Sequence, residues 1–116
     1  MTASFEKLGT GFLFTEGPLW HPRGKFLLWS DMPGDHMRRW SARDGVTTFR
    51  KPCNMSNGLT YDRQGRLLAC EHASSQVTRT ETDGRIVAIG TMRPSLSVRV
   101  TWLLACSHAS RRPSRS

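Results

Sequence analysis

The feature of this 116-residue sequence that most constrains its fold is an internal repeat. Gly24-Lys25-Phe26-Leu27-Leu28-Trp29-Ser30-Asp31 is echoed by Gly65-Arg66-Leu67-Leu68-Ala69-Cys70-Glu71, and Asp44-Gly45 by Asp83-Gly84, at offsets of 39 to 41 residues. Inside each copy, short runs of apolar and β-branched residues alternate with Gly, Pro and Asp-rich turns, a pattern of short strands. Strands are expected over 16–20, 25–31, 36–41 and 46–50 in the first copy, and over 57–62, 66–72, 76–80 and 85–89 in the second. Asp-Gly at both 44–45 and 83–84 is a strong hairpin signal.

A period of about 40 residues with four short strands is the signature of a β-propeller blade. An eight-stranded β-sandwich satisfies the turn spacing equally well, but the register of the repeat, with its leucine pairs and matched Asp-Gly turns, favours the propeller. On that reading the second strands, with Leu27-Leu28 and Leu67-Leu68, are buried on both faces. The third strands, with Arg38, Arg39 and Arg79, lie nearer the outer rim.

Just before the repeat stands Phe14-Thr15-Glu16-Gly17-Pro18-Leu19-Trp20. A carboxylate between apolar residues and directly before Gly-Pro is held on a short extended segment ended by a rigid turn. That placement suits a metal ligand, although Glu16 at the wet end of a strand is the simpler reading. Cys53, Cys70 and Cys106 form no C-x-x-C pair, and their odd number favours reduced thiols in a cytoplasmic protein over a disulfide framework. The four histidines show no zinc-ligand spacing. The N-terminus lacks the basic-then-apolar pattern of a signal peptide, and no run approaches the length of a membrane span. Gly-x-Ser-x-Gly and phosphate-cradling loops are also absent.

Charge is uneven along the chain. Residues 1–90 carry 12 Lys and Arg against all 9 acids, whereas 91–116 carry five Arg, six Ser and no acid, Gly or third copy of the repeat. The last segment therefore reads as a basic tail outside the repeat, produced by out-of-frame translation or truncation of a longer product. A contrasting reading makes the chain a small basic binding protein whose tail contacts nucleic acid, with steep salt dependence.

Glu16-Gly17-Pro18, then Leu27-Leu28-Trp29-Ser30-Asp31-Met32-Pro33, then Asn57-Gly58-Leu59 with Asp62-x-x-Gly65-Arg66-Leu67-Leu68-Ala69-Cys70-Glu71-His72, resembles the start of the gluconolactonase and senescence-marker-protein-30 family. The resemblance covers residues 12–90 and implies a six-bladed all-β propeller that hydrolyses sugar lactones with an axial divalent metal, calcium or zinc. It makes residues 1–90 about the first two blades of an incomplete propeller, and 91–116 a tail foreign to the family. Glu16 then matches the first metal ligand, Asn57 a residue at the mouth of the pocket that contacts substrate or metal-bound water, and His72 a candidate substrate contact; no catalytic residue is assigned. The later ligands of the family, in its Ser-Pro-Asn-Asp motif and beyond, have no counterpart, so this chain is expected neither to hold the metal stably nor to be active alone. Its expected partners are a sugar lactone and other copies of itself through exposed blade faces, with no membrane and no nucleic acid.

Overall fold

The computed structural model describes residues 3–91. The chain forms eight strands: β1 (Thr15–His21), β2 (Phe26–Asp31), β3 (His36–Ser41), β4 (Gly45–Arg50), β5 (Ser56–Tyr61), β6 (Leu67–Glu71), β7 (Gln76–Thr80) and β8 (Ile86–Thr91). They pair antiparallel in chain order into two four-stranded sheets, β1-β2-β3-β4 and β5-β6-β7-β8. Each strand falls within a residue or two of its sequence expectation. The hairpin turns explain why. Gly84 N donates to Glu81 O at 2.9 Å with φ at +89°, a conformation that glycine adopts without a steric penalty. Between β2 and β3 a 3-10 turn, Met32–Gly34, is closed by Asp35 N donating to Met32 O at 2.9 Å.

Strand pairing carries the repeat into the register of the two sheets. Glu16 lies opposite Ser30 and Leu19 opposite Leu28, with a bulge between; Ser56 lies opposite Glu71 and Leu59 opposite Ala69, again with a bulge. The counterpart of Leu28 is thus Ala69 and that of Ser30 is Glu71, the same offset of 41 that sets Gly24 over Gly65 in the sequence. Burial follows this register. Leu28, Trp29, Leu67, Ala69 and Cys70 are buried, whereas Leu27 and Leu68 are half-buried, so the second strands are the most enclosed but not along their whole length.

The core lies where the sheets meet. Leu28, Met37, Cys53, Leu59, Leu67 and Ala69 form one buried cluster, with Leu19, Phe26 and Tyr61 packed against it. Each fully buried aliphatic side chain is worth about 1.5–3 kcal/mol. His21 closes one end by stacking on Phe26 (centroids 4.7 Å apart) and meeting Tyr61 edge-on at 4.9 Å. Burial pushes the Tyr61 hydroxyl up to about 12.

The third-strand arginines are half-buried and paired: Arg38 with Asp31 (3.4 Å), Arg39 with Asp44 (3.4 Å) and Arg79 with Glu81 (2.6 Å). Cys53 is a free, buried thiol. No helix among the described residues is long and apolar enough to cross a membrane. The expected basic tail lies outside the described residues.

Candidate functional site

Glu16 and Asn57 sit near the starts of β1 and β5, the first strands of the two sheets, and the backbone brings them together. Gly17, at φ +62°, packs so closely on β5 that a Cβ there would fall 2.0 Å from the carbonyl oxygen of Asn57. Below this contact the hydroxyls of Ser30 and Ser56 share a hydrogen bond of 2.8 Å, and both serines are fully buried. Ser30 is the register partner of Glu16 and Ser56 precedes Asn57, so one buried bond ties together the frames that set both residues. A buried hydroxyl left unpaired would cost about 1–3 kcal/mol, which makes this link specific.

Three other side chains fix the entrance to β5. The Asp35 carboxylate accepts from Met55 N (2.7 Å), Cys53 N (3.1 Å) and Cys53 Sγ (3.5 Å). The Met55 amide, with help from Cys53, outweighs burial and holds the Asp35 carboxyl below its ordinary value. Buried Glu71 accepts from Asn54 Nδ2 (2.9 Å), Ser74 Oγ (2.8 Å) and Thr78 Oγ1 (2.9 Å). Asn54 and Met55 both take left-handed φ values, 53° and 54°. For Met55 that is an unfavourable conformation, maintained by the bonds on either side.

Asp31 does the corresponding work at β1. Its Oδ1 accepts from Leu13 N and Phe14 N at 3.1 Å each, and Arg38 pairs with Oδ2. Burial works to raise its pKa, but those two amides and Arg38 bring it below the ordinary value. The segment so anchored runs along the first sheet, where Phe12 meets Trp29 edge-on at 5.3 Å and lies under the Arg38 guanidinium. A groove of about 330 Å³ opens there, walled by Leu8, Phe12, Leu27, Trp29 and Trp40, with Thr15 and Glu16 contributing to its lining.

Among the half-buried and buried carboxylates described, Asp31, Asp35, Asp62, Glu71 and Glu81 each have a hydrogen bond or ion pair. Half-buried Glu16 has none among the described residues. Asn57 is also half-buried. Its Oδ1 accepts from Gly58 N at 2.6 Å, which leaves the two donors of Nδ2 free of protein partners among the described residues. His72 is exposed on the turn after β6, where its backbone N donates to Met55 O at 3.2 Å, so it stands at the same end of the molecule. No group of three His, Cys, Asp or Glu side chains that could hold a metal ion occurs among the described residues. A hard divalent cation takes six or more oxygen ligands. The described donors therefore do not fit a complete metal site. The tethers at Asp31, Asp35, Glu71 and Ser30 were not found by sequence reading, because each is defined by a partner distant in the chain.

Two adjoining four-stranded sheets, with polar side chains converging at the starts of their first strands, define an all-β protein of the propeller type. This chain belongs to the SMP-30/gluconolactonase/LRE-like family, whose model matches residues 14–102. Relatives include a gluconolactonase of Zymomonas mobilis, 38% identical over 94 residues, covering 70% of this chain and 26% of the relative. A pentonolactonase of Haloferax volcanii is 35% identical over 54 residues, covering 47% of this chain and 19% of the relative. Among solved structures, a gluconolactonase of Xanthomonas campestris superposes with a TM-score of 0.66 at 30% identity, covering 72% of this chain and 28% of that one. A virginiamycin B lyase of Staphylococcus aureus, at 16% identity and TM-score 0.55 over 72% of this chain and 29% of that one, shares the fold alone. The chain thus spans about a quarter of the length of the curated gluconolactonase that it matches.

Proposed function

We propose that this chain supplies one edge of a site that hydrolyses sugar lactones, built from Glu16, Asn57 and the nearby His72. The observation that carries the reading is the half-buried Glu16 carboxylate, without a partner among the described residues and directly before the Gly17 that packs on Asn57, in a chain of the gluconolactonase family. Desolvating a carboxylate without a protein partner is costly, and a ligand that satisfies it offsets that cost. Asn57 offers the Nδ2 donors to a hydroxyl or carbonyl oxygen of a lactone, and its position is fixed by Gly17, Ser56 and Asp35. His72 presents an imidazole to the same end.

A calcium or zinc ion, the cofactor that family resemblance implies, would find one ligand here in Glu16. The others would come from sheets of a six-bladed ring outside the described residues. Residues 3–91 alone are accordingly inactive and associate with one another through open sheet faces, in the cytoplasm. The test grafts residues 14–91 into the Xanthomonas gluconolactonase in place of the aligned segment and assays sugar-lactone hydrolysis. The graft is expected to be active, and Glu16→Gln within it inactive at unchanged fold. Full activity of a well-folded Glu16→Gln graft would refute the assignment.

A further inference from the structure

Asn57 is followed by Gly58, and the bulge in β5 lies over this pair: register runs from Ser56 opposite Glu71 to Leu59 opposite Ala69, so neither residue is a register partner of β6. The Gly58 amide nitrogen instead lies 2.6 Å from Asn57 Oδ1, against the side-chain carboxamide. A backbone nitrogen within the bulge, on a residue with no Cβ to obstruct ring closure, and held by its hydrogen bond against the carboxamide of the preceding asparagine, is arranged for imide formation.

We propose that Asn57 is a site of spontaneous, structure-assisted deamidation. Gly58 N loses its proton and attacks Cγ of Asn57; the N–Cγ bond forms, the carboxamide C–N bond breaks, and ammonia leaves with the proton. Water then opens the five-membered imide. Cleavage at Cγ gives aspartate, and cleavage at the α-carbonyl gives isoaspartate, in which the backbone is lengthened by one methylene. Either product replaces the neutral carboxamide of Asn57 with a carboxylate. The isoaspartate also displaces the Asn57 carbonyl on which Gly17 is packed.

Asn54 is the other asparagine of the sequence and provides an internal control. It precedes Met55, whose side chain crowds ring closure, and its carboxamide is held by Glu71 Oε2 at 2.9 Å.

The test incubates the 116-residue chain at neutral pH and follows each asparagine by peptide mass spectrometry, with isoaspartate-specific methylation as a second readout. Conversion adds about one dalton and a charge. Parallel samples are the same chain in concentrated urea, and Gly58→Ala in buffer. The proposal expects Asn57 to convert in the folded chain at least as fast as in urea, Asn54 to remain intact, and Gly58→Ala to slow conversion at least about tenfold, ~1.4 kcal/mol in barrier. Asn57 preserved in buffer while it converts in urea would overturn the proposal, because the fold would then protect it. So would equal conversion of both asparagines, or no conversion in either solvent. The outcome is independent of whether a lactone is the substrate.

Discussion

The backbone of Gly17 rests on the carbonyl oxygen of Asn57 so closely that a methyl group at Gly17 would lie 2.0 Å from it. This contact decides how far apart the first strands of the two sheets can be, and therefore how Glu16 stands relative to Asn57. Gly17→Ala must both adopt a left-handed φ and push β5 away. The strained conformation costs about 1 kcal/mol and the overlap with rigid backbone a further 1–3 kcal/mol. A fall in melting temperature of several degrees is expected, measured by circular dichroism. An unchanged melt would mean that the two strands are not in contact.

The Ser30–Ser56 bond makes a sharper test of the same interface. Removing one hydroxyl leaves the other buried and unpaired, so each single alanine variant is expected to lose about 1–3 kcal/mol, while the double variant loses less than the sum of the two. Urea denaturation of the four proteins measures the coupling. Strict additivity would contradict a direct bond.

Asp35 predicts a pH dependence. Its folded-state pKa lies below the ordinary 3.8, with the Met55 amide as the largest cause. A depressed carboxylate contributes stability above its unfolded pKa, and loses that contribution as pH falls through the folded value. Asp35→Asn is expected to be less stable than wild type by about 2 kcal/mol near neutrality. The gap should close progressively below about pH 4. A gap that stays constant between pH 7 and pH 3 would remove Asp35 from the role assigned to it.

The open faces predict self-association. Trp20, Phe49, Ile86 and Ile89 are between 41% and 48% exposed, and Leu13 and Phe14 more so. Apolar side chains left exposed on sheet strands favour contact with a second apolar surface. Light scattering of residues 3–91 should show concentration-dependent oligomers, reduced by Trp20→Arg with Ile89→Lys. A monodisperse monomer at high concentration would show that these faces need no partner.

The fold was largely legible because the turn residues are local. Asp44-Gly45 and Asp83-Gly84 mark their own hairpins, and the strands between them follow from alternation. Of the candidate site, Glu16 stood out through its place before Gly17-Pro18 and Asn57 through family resemblance, and the structure brings their strands together. What stayed hidden depends on contacts between residues far apart in sequence. Nothing near Ser30 announces Ser56, and nothing near Asp35 announces Met55.

Glu16, with no hydrogen-bond or ion-pair partner among the described residues, is proposed to serve a ligand rather than the fold. The most direct measurement compares wild type with Glu16→Gln in the grafted gluconolactonase, recording sugar-lactone hydrolysis and the melting temperature of each protein. The account predicts a loss of activity of at least about 100-fold, ~2.7 kcal/mol, with a melting temperature unchanged or raised. Retained activity accompanied by a lower melting temperature would contradict it, and would make Glu16 a structural residue.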